Sequence, residues 1–313
     1  MIIVTGAAGF IGSNLVNGLN KIGINDILLV DNVKNKKNKI SNLKKLKFVD
    51  LIDKNYFINN LNKILKNKNI KTIYHQGACT DTLCKDAEYL FSNNYEYSKT
   101  LLEFSLLNKI KFIYASSASV YGNNIKTEEL YDNEFPLNMY AFSKYFFDNY
   151  IRSLNLKNKN KVVGLRYFNV YGPNENHKNR MASCILHFNK QLLKKSSLRL
   201  FEGSGGFDNG DQKRDFIYVD DVVKINLWFM NKNISGIFNV GSGRPISFNE
   251  VANNIINWHD KGKIKYISFP KKLENTYQHY TKANLKNLRK IGYNYKFTSI
   301  KKGIDYYLNH LNR

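Results

Sequence analysis

Met1-Ile2-Ile3-Val4-Thr5-Gly6-Ala7-Ala8-Gly9-Phe10-Ile11-Gly12 opens the chain. The run through Thr5 carries no charge and no apolar/polar alternation, which is the pattern of a strand buried on both faces of a parallel sheet. Ile11, Leu15, Val16, Leu19 and Ile22 then recur at helical spacing. Three glycines lie between strand and helix in the order G-x-x-G-x-x-G. Gly6 permits a tight turn, and Gly9 lets backbone approach a pyrophosphate. Gly12 lets the helix pack close to the sheet, with its N-terminus facing the phosphates. A glycine triplet by itself is a weak signal; its place between a strand and a helix gives it meaning. The next strand, residues 26–31, ends in Asp31, 19 positions after Gly12. An acid there can accept hydrogen bonds from ribose hydroxyls, and with Asn32 beside it a plain turn residue is the alternative.

Further along, Lys111-Phe112-Ile113-Tyr114-Ala115-Ser116-Ser117 reads as a strand tipped with hydroxyls. Downstream of it, Tyr140 and Lys144 stand four residues apart, on one face of an expected helix. A free phenol has a pKa near ~10 and is a poor base at neutral pH. A neighbouring cation favours the phenolate, so Lys144 together with a cationic nicotinamide ring would bring the phenol towards neutrality. Ser117 would hold a substrate alcohol against Tyr140. Such a set moves a proton on and off an alcohol while a hydride leaves its carbon. Tyr95 and Lys99 share the spacing but sit in a long amphipathic stretch, residues 87–107, with no serine-tipped strand before them. They read as a solvated helix face.

Further strands are expected at 47–49, 72–75, 112–115 and 162–166, with helical patterns between them, as parallel crossovers require. After Arg166 the alternation fades. Residues 181–193 read as a helix, 198–201 and 214–218 as short strands, and Ser247-Phe248-Asn249-Glu250 as a capping box opening a helix. The expected fold class is α/β, a Rossmann-type doubly wound parallel sheet.

The chain has 313 residues and a formal net charge of +23. Such a charge invites a nucleic-acid reading. The lysines, however, are scattered among asparagines, as in Lys34-Asn35-Lys36-Lys37-Asn38-Lys39 and Leu156-Lys157-Asn158-Lys159-Asn160-Lys161. No nucleic-acid motif accompanies them, so no nucleic-acid partner is expected, although a basic surface would attract an anionic sugar nucleotide. With a strand expected from residue 2, no cleavable leader is expected. No apolar run reaches the ~18 residues of a membrane span. Cys79, Cys84 and Cys184 match no zinc spacing, and no metal is expected. Reduced thiols and a cytoplasmic location follow.

At this point the chain resembles the extended short-chain dehydrogenase/reductases, a family of nucleotide-sugar epimerases and dehydratases. The broad resemblance rests on Tyr114-Ala-Ser-Ser-Ala-Ser-Val-Tyr121-Gly122 and Arg166-Tyr-Phe-Asn-Val-Tyr-Gly-Pro173. Arg214-Asp-Phe-Ile-Tyr-Val-Asp-Asp221 and Asn226-Leu-Trp-Phe229 extend it. His177-Lys178, Met181-Ala-Ser183 and Phe201-Glu-Gly-Ser204 are similar to the branch that epimerises ADP-heptoses at C6. The resemblance implies a cofactor lobe of residues 1–168 plus about 215–240. A smaller, discontinuous α/β substrate lobe would take about 169–214 plus 241–313. It implies one tightly bound NADP per subunit, a homo-oligomer (a pentamer by likeness) and no membrane partner. Gly6, Gly9, Phe10, Ile11, Gly12, Asp31 and Asn32 would touch the cofactor. So would Lys39, Lys54, Gln76, Gly77, Ala78, Cys79, Thr80, Asn93, Lys144, Val170 and Lys178. For Lys39 a solvated lysine is an equal reading. The lysines following Asp31 would accommodate a 2′-phosphate that an acid alone repels.

On the substrate side the resemblance implies Ser117, Asn169, Arg180, His187, Phe201, Glu202, Gly203, Ser204, Arg214 and Tyr277. A guanidinium fork at Arg214 suits a diphosphate on its own merits, whereas His187 is equally readable as an ordinary helix histidine. Ser117, Tyr140, Lys144 and Lys178 would be catalytic, with a phosphate or surface contact the alternative for Lys178. The chain departs from the pattern at Gln76, where many relatives carry an acid. It departs again at Arg180, where a small residue is usual, and in a longer loop at 205–213. The implied reaction converts ADP-D-glycero-D-manno-heptose to its L-glycero epimer through a transient 6-ketone, for the lipopolysaccharide core. A nucleotide-sugar 4-epimerase or 4,6-dehydratase is the alternative within the class. A non-catalytic dinucleotide- or RNA-binding relative is the alternative outside it, and such a protein need not keep both Tyr140 and Lys144.

Overall fold

A computed structural model describes residues 1–32, 37–156, 161–270 and 277–312. Parts of both lysine–asparagine runs, residues 34–36 and 157–160, lie outside the described residues. In chain order the strands are β1 (Ile2–Thr5), β2 (Ile27–Asp31), β3 (Asp50–Asp53), β4 (Thr72–His75), β5 (Lys111–Ser117) and β6 (Val162–Tyr167). They continue with β7 (Asn169–Tyr171), β8 (Ser197–Phe201), β9 (Lys213–Tyr218), β10 (Gly236–Val240), β11 (Pro245–Ser247) and β12 (Lys263–Ile267).

Seven of these form one sheet in the order β10-β6-β5-β4-β1-β2-β3, and every pairing in it is parallel. The β1, β2, β4 and β6 residues are buried throughout. That is what apolar runs without alternation require, because helices cover both faces. The order reverses between β1 and β4, so their carboxyl ends open a crevice. Helix Phe10–Lys21 sends Leu15, Val16 and Leu19 into one face of the core, together with Val222, Ile225 and Phe229 of helix Val219–Met230. Helices Tyr97–Leu107 and Met139–Ser153 cover the other face with Leu101, Leu102, Phe147 and Ile151.

The second core lies around β8, β9 and helices Cys184–Lys195, Phe248–His259 and Ile300–Leu311, with Ile185, Leu198, Val251, Ile255 and Ile304 at its centre. Strand β9 serves both cores. Ile217 packs into the first, while Phe216 and Tyr218 pack into the second. Alternate side chains of a strand point opposite ways, so Arg214 shares the face of Phe216 and Tyr218.

Three sequence expectations shift. The strand expected at 47–49 forms at Asp50–Asp53, in register with Leu28 to Asp31 of β2. The earlier stretch makes single contacts instead, from the Lys47 amide to Asn20 and from the Val49 amide to Ile27. The helix expected at 181–193 is Cys184–Lys195, because Ser183 caps it by accepting from the Leu186 amide. The continuous stretch expected at 87–107 is two helices, Ala87–Leu90 and Tyr97–Leu107, joined by a π-helical turn at Phe91–Glu96. The extra residue in such a turn re-aims side chains, and here it carries Asn93 and Asn94. No helix among the described residues is long and apolar enough to cross a membrane.

Candidate active site

The glycine-rich turn sits at the switch point. Gly6 has φ +67°, a conformation that L side chains rarely adopt. A Cβ on it would lie 2.6 Å from Gly77 Cα, at the end of β4, and one on Gly12 would lie 2.1 Å from the Gly6 oxygen. No side chain fits at either position, so two backbones line a cradle. Gly9 precedes the first helical residue and provides no side-chain cap. The first-turn N–H groups of Phe10–Lys21 therefore remain available to an anion. This is the shape that a dinucleotide's pyrophosphate needs.

Asp31 ends β2 beside the turn and is buried. Its carboxylate accepts from the amides of Ala8 at 2.8 Å and Asn32 at 2.6 Å, and from Lys39 Nζ at 2.5 Å. Lys39 thus offsets the acid's charge where the ribose end of a dinucleotide would lie. Lys54 donates to the side chain of Asn93. Asn93 in turn donates to Asn94, which grips the main chain of Cys79 at both its amide (2.8 Å) and its carbonyl (3.0 Å). The π-helical turn so holds the loop after β4, containing Gly77, Ala78, Cys79 and Thr80. Gln76 accepts from Tyr167 at 3.0 Å within a neutral network that includes Asn226.

Ser117 closes β5, and Asn138 caps helix Met139–Ser153 by accepting from the Ala141 amide at 2.9 Å. The cap places Tyr140 in the first turn, near enough to Ser117 for its hydroxyl to act on the phenol. Burial raises the Tyr140 pKa, while the Ser117 hydroxyl pulls it back. Lys144, one turn on and buried, donates to the Ala115 carbonyl at 2.7 Å. Burial lowers its pKa to about 8, with Asp148 opposing the shift. Ser117 and Tyr140 thus come from neighbouring elements, β5 and the helix that packs on it. The lysine is anchored to the same strand rather than to the phenol, so burial governs the tyrosine in the protein alone.

The Lys178 Nζ lies 5.7 Å from the ring centroid of Phe10, the first residue of helix Phe10–Lys21. Burial lowers its pKa, and Glu175 raises it. No hydrogen bond or ion pair joins it to Tyr140 among the described residues. Glu175, missed in the sequence, is buried and accepts from the amides of Gly172 and Ser183 and from the Ser183 hydroxyl. It thereby fixes the segment that carries His177 and Lys178. Val170 and Asn169 lie on β7, and Asn169 accepts from Thr281 at 3.5 Å. Ile11 packs against the first core.

Near the second core, the Arg214 guanidinium stacks 4.8 Å from the Tyr277 ring centroid. Tyr277 touches Phe201 at 6.2 Å and Phe269 at 5.1 Å between ring centroids. Arg214 Nη1 is buried without a hydrogen-bond partner among the described residues. A buried guanidinium nitrogen left over in this way is suited to an anionic ligand. Glu202 and Ser204 are tied to Gln212, which donates to the carbonyl of the first and the hydroxyl of the second at 3.0 Å each. The Gly203 amide donates to Asn209 at 2.8 Å. His187 is half-buried in the first turn of helix Cys184–Lys195. Arg180 is taken up by an ion pair with Asp81 at 2.6 Å, largely exposed and so worth little to stability. Phe269, Gln212 and Glu175 carried no sequence signal, since none lies in a recognisable pattern.

The family model for the NAD dependent epimerase/dehydratase family matches residues 2–241. An ADP-L-glycero-D-manno-heptose-6-epimerase of Brachyspira hyodysenteriae (strain ATCC 49526 / WA1) is 50% identical over 312 residues, covering 98% of this chain and 96% of that protein. Among solved structures, the ADP-L-glycero-D-manno-heptose-6-epimerase of Helicobacter pylori superposes with a TM-score of 0.85 at 31% identity, covering 99% of this chain and 96% of that one. A UDP-glucuronic acid 4-epimerase from Bacillus cereus, in complex with UDP-glucuronic acid and NAD, has a TM-score of 0.81 at 25% identity, covering 99% and 98%. The chain belongs to the NAD dependent epimerase/dehydratase family.

Proposed function

We propose that this member of the NAD dependent epimerase/dehydratase family inverts C6 of the heptose in ADP-D-glycero-D-manno-heptose, supplying the L-glycero epimer for lipopolysaccharide core biosynthesis. The observation that carries the chemistry is the placing of Tyr140, in the first turn of helix Met139–Ser153, near Ser117 at the carboxyl end of β5. The substrate is supported by the two heptose-epimerase relatives.

A nicotinamide dinucleotide, held by the glycine turn and Asp31, would supply reversible hydride acceptance at the sugar carbon. The protein's part is positional and electrostatic. The glycine turn binds the pyrophosphate. Ser117 holds the C6 hydroxyl, and Tyr140 takes its proton as the carbon is oxidised to a ketone. Lys144 keeps a positive charge beneath the end of β5. Arg214, stacked on Tyr277, binds the ADP diphosphate. It leaves the heptose end room to present either face of the ketone. Lys178 serves as acid/base for the orientation that Tyr140 cannot reach. Residues 1–168 with about 215–240 make the cofactor lobe in this reading, and the remainder makes the substrate lobe.

The finer reading is that the cofactor is NADP, held through purification. The Lys39–Asp31 pair and the Lys54–Asn93 contact support it, because cations near the ribose accommodate a 2′-phosphate. A cytoplasmic homo-oligomer, a pentamer by likeness, belongs to the same proposal. Incubation with ADP-D-glycero-D-manno-heptose, followed by C6 stereochemistry from NMR, tests the function; an unchanged C6 centre refutes it. Denaturing the protein and identifying the released dinucleotide tests the cofactor, and NAD alone refutes the NADP preference.

A further inference from the structure

Residues 279–281 run beside β9, with the Lys213 amide donating to the His279 carbonyl at 2.9 Å and the Thr281 amide donating to the Lys213 carbonyl at 3.1 Å. Lys213 and Tyr280 are the paired residues of this parallel bridge. Alternate side chains point opposite ways, so Arg214 and His279 share the other face. Both meet the ring of Tyr277. The Arg214 guanidinium lies 4.8 Å from its centroid, and the His279 imidazole lies 5.2 Å away with 74° between the planes. The imidazole also stacks on Phe269, with 5.8 Å between centroids and 27° between planes. The Gly205 backbone closes on it, since a Cβ there would lie 2.6 Å from both Cγ and Cδ2 of His279.

Two nitrogens of this cluster, Arg214 Nη1 and His279 Nε2, are buried with no hydrogen-bond partner among the described residues. A buried polar nitrogen without a partner is costly, so two of them around one aromatic ring mark a place where a ligand supplies the partners. Arg214 wants an anion. His279 wants something else. Burial and the Arg214 charge both lower its pKa, so at neutral pH the imidazole is uncharged and pairs with a polar edge rather than a phosphate. Phe201 lies 5.3 Å from Phe269 and 6.2 Å from Tyr277 between centroids, which adds the aromatic faces on which a base stacks. A nucleoside diphosphate has the charge, the flat group and the polar edge.

We propose that His279 determines which nucleotide the sugar-nucleotide site accepts: its Nε2 hydrogen-bonds the edge of a purine lodged among Phe201, Phe269 and Tyr277, while Arg214 holds the diphosphate. The proposal deepens the ADP-heptose reading above and rests on it. Adenine suits a neutral imidazole in either tautomer, because its edge offers ring nitrogens to a donor and an amino group to an acceptor. Three aromatic side chains also offer more stacking surface than a single pyrimidine ring uses, and the two fused rings of a purine use more of it.

The test is calorimetric titration of the dinucleotide-loaded protein with ADP and with UDP, so that only the sugar-nucleotide site is open. Wild type should bind ADP more tightly than UDP. His279→Phe keeps a ring against Phe269 and removes the nitrogen. It should weaken ADP by about ten-fold, the loss of one hydrogen bond, and leave UDP within about two-fold. Should that variant fail to fold, His279→Ala carries the same expectation. His279→Gln, which still offers a polar edge, should recover part of the loss, and Arg214→Met should weaken both nucleotides alike. The proposal is overturned if His279→Phe binds ADP as wild type does, if it loses ADP and UDP equally, or if His279→Gln is no better. An ADP preference that survives in His279→Phe counts against His279 alone, whereas a wild type that prefers UDP counts against the ADP-heptose substrate as well.

Discussion

Asp148 lies one helical turn beyond Lys144, fully buried, and its carboxylate accepts from Tyr114 and Ser116 at 2.8 Å and from Arg166 Nε at 2.9 Å. Two of those donors belong to β5, the strand that delivers Ser117. One carboxylate therefore locks helix Met139–Ser153 onto β5 and lends its charge to Lys144. Asp148→Asn should shift the Lys144 pKa further down from about 8, because burial then acts unopposed. Activity that depends on the charged lysine should be lost at a lower pH than in wild type. Urea unfolding should show a loss of ~3–5 kcal/mol, the usual result of removing one partner from a buried ionic network. An unshifted pH–rate profile in a destabilised variant would make Asp148 purely structural.

The Tyr140 phenol should titrate above the ordinary tyrosine range in the protein without cofactor, since burial outweighs the Ser117 hydroxyl. Oxidised dinucleotide should bring it down, because the ring adds a positive charge, and reduced dinucleotide should not. The measurement is the phenolate absorbance of wild type minus that of Tyr140→Phe, taken against pH with each form of the cofactor. Equal midpoints with the two forms would remove the ring's charge from the account.

Lys111 is buried at the start of β5 and donates to the carbonyls of Phe229, Met230 and Lys232, closing the C-terminus of helix Val219–Met230. Lys111→Met leaves those carbonyls without the cation and should cost ~1.5–3 kcal/mol. Burial lowers the Lys111 pKa from 10.5 to about 8. Between those values the unfolded chain binds the extra proton, so the contribution of Lys111 to stability rises with pH through that window and is smallest below pH 8. Chemical denaturation of wild type and variant at neutral and alkaline pH checks the sign. A difference that shrinks as pH rises through the window contradicts it.

Some of this could be read in the sequence because it is local. The glycine turn needs only a strand, three glycines and a helix in series. The Tyr140–Lys144 pair needs only helical spacing and a strand ending in Ser117. The supporting groups were hidden because they are assembled from distant positions. Glu134, Asp148, Arg152 and Arg166 form a buried charged network, yet in the sequence they look like the charges of any solvated surface. Asn94 reaches Cys79 only because a π-helical turn adds a residue that helical periodicity cannot show. Strand β10 is short, and nothing in its spacing announced a seventh parallel strand beside β6. Lys178 is legible only through resemblance, and Glu175, which holds its segment, is not, because a loop has no period to read.

Inversion at C6 asks for proton transfer to the same oxygen in two orientations of the sugar. In the proposed reaction Tyr140 serves that oxygen from the β5 side, beside Ser117. In that reading Lys178, over Phe10 and in a segment held by Glu175, serves the other orientation. A base on one flank serves one orientation and fails the other. Tyr140→Phe and Lys178→Met should therefore each lose most epimerase activity, by ~10²–10⁴-fold, while each still permits hydride transfer with one C6 epimer. Lys178 is also desolvated, which lowers its pKa and makes loss of its proton easier near neutral pH. The assay compares epimerisation with disproportionation of a C6-aldehyde analogue, whose oxidation and reduction require no inversion. In Lys178→Met, disproportionation should survive far better than epimerisation. If that variant epimerises at close to the wild-type rate, Tyr140 handles both orientations alone and Lys178 is left as a cofactor contact.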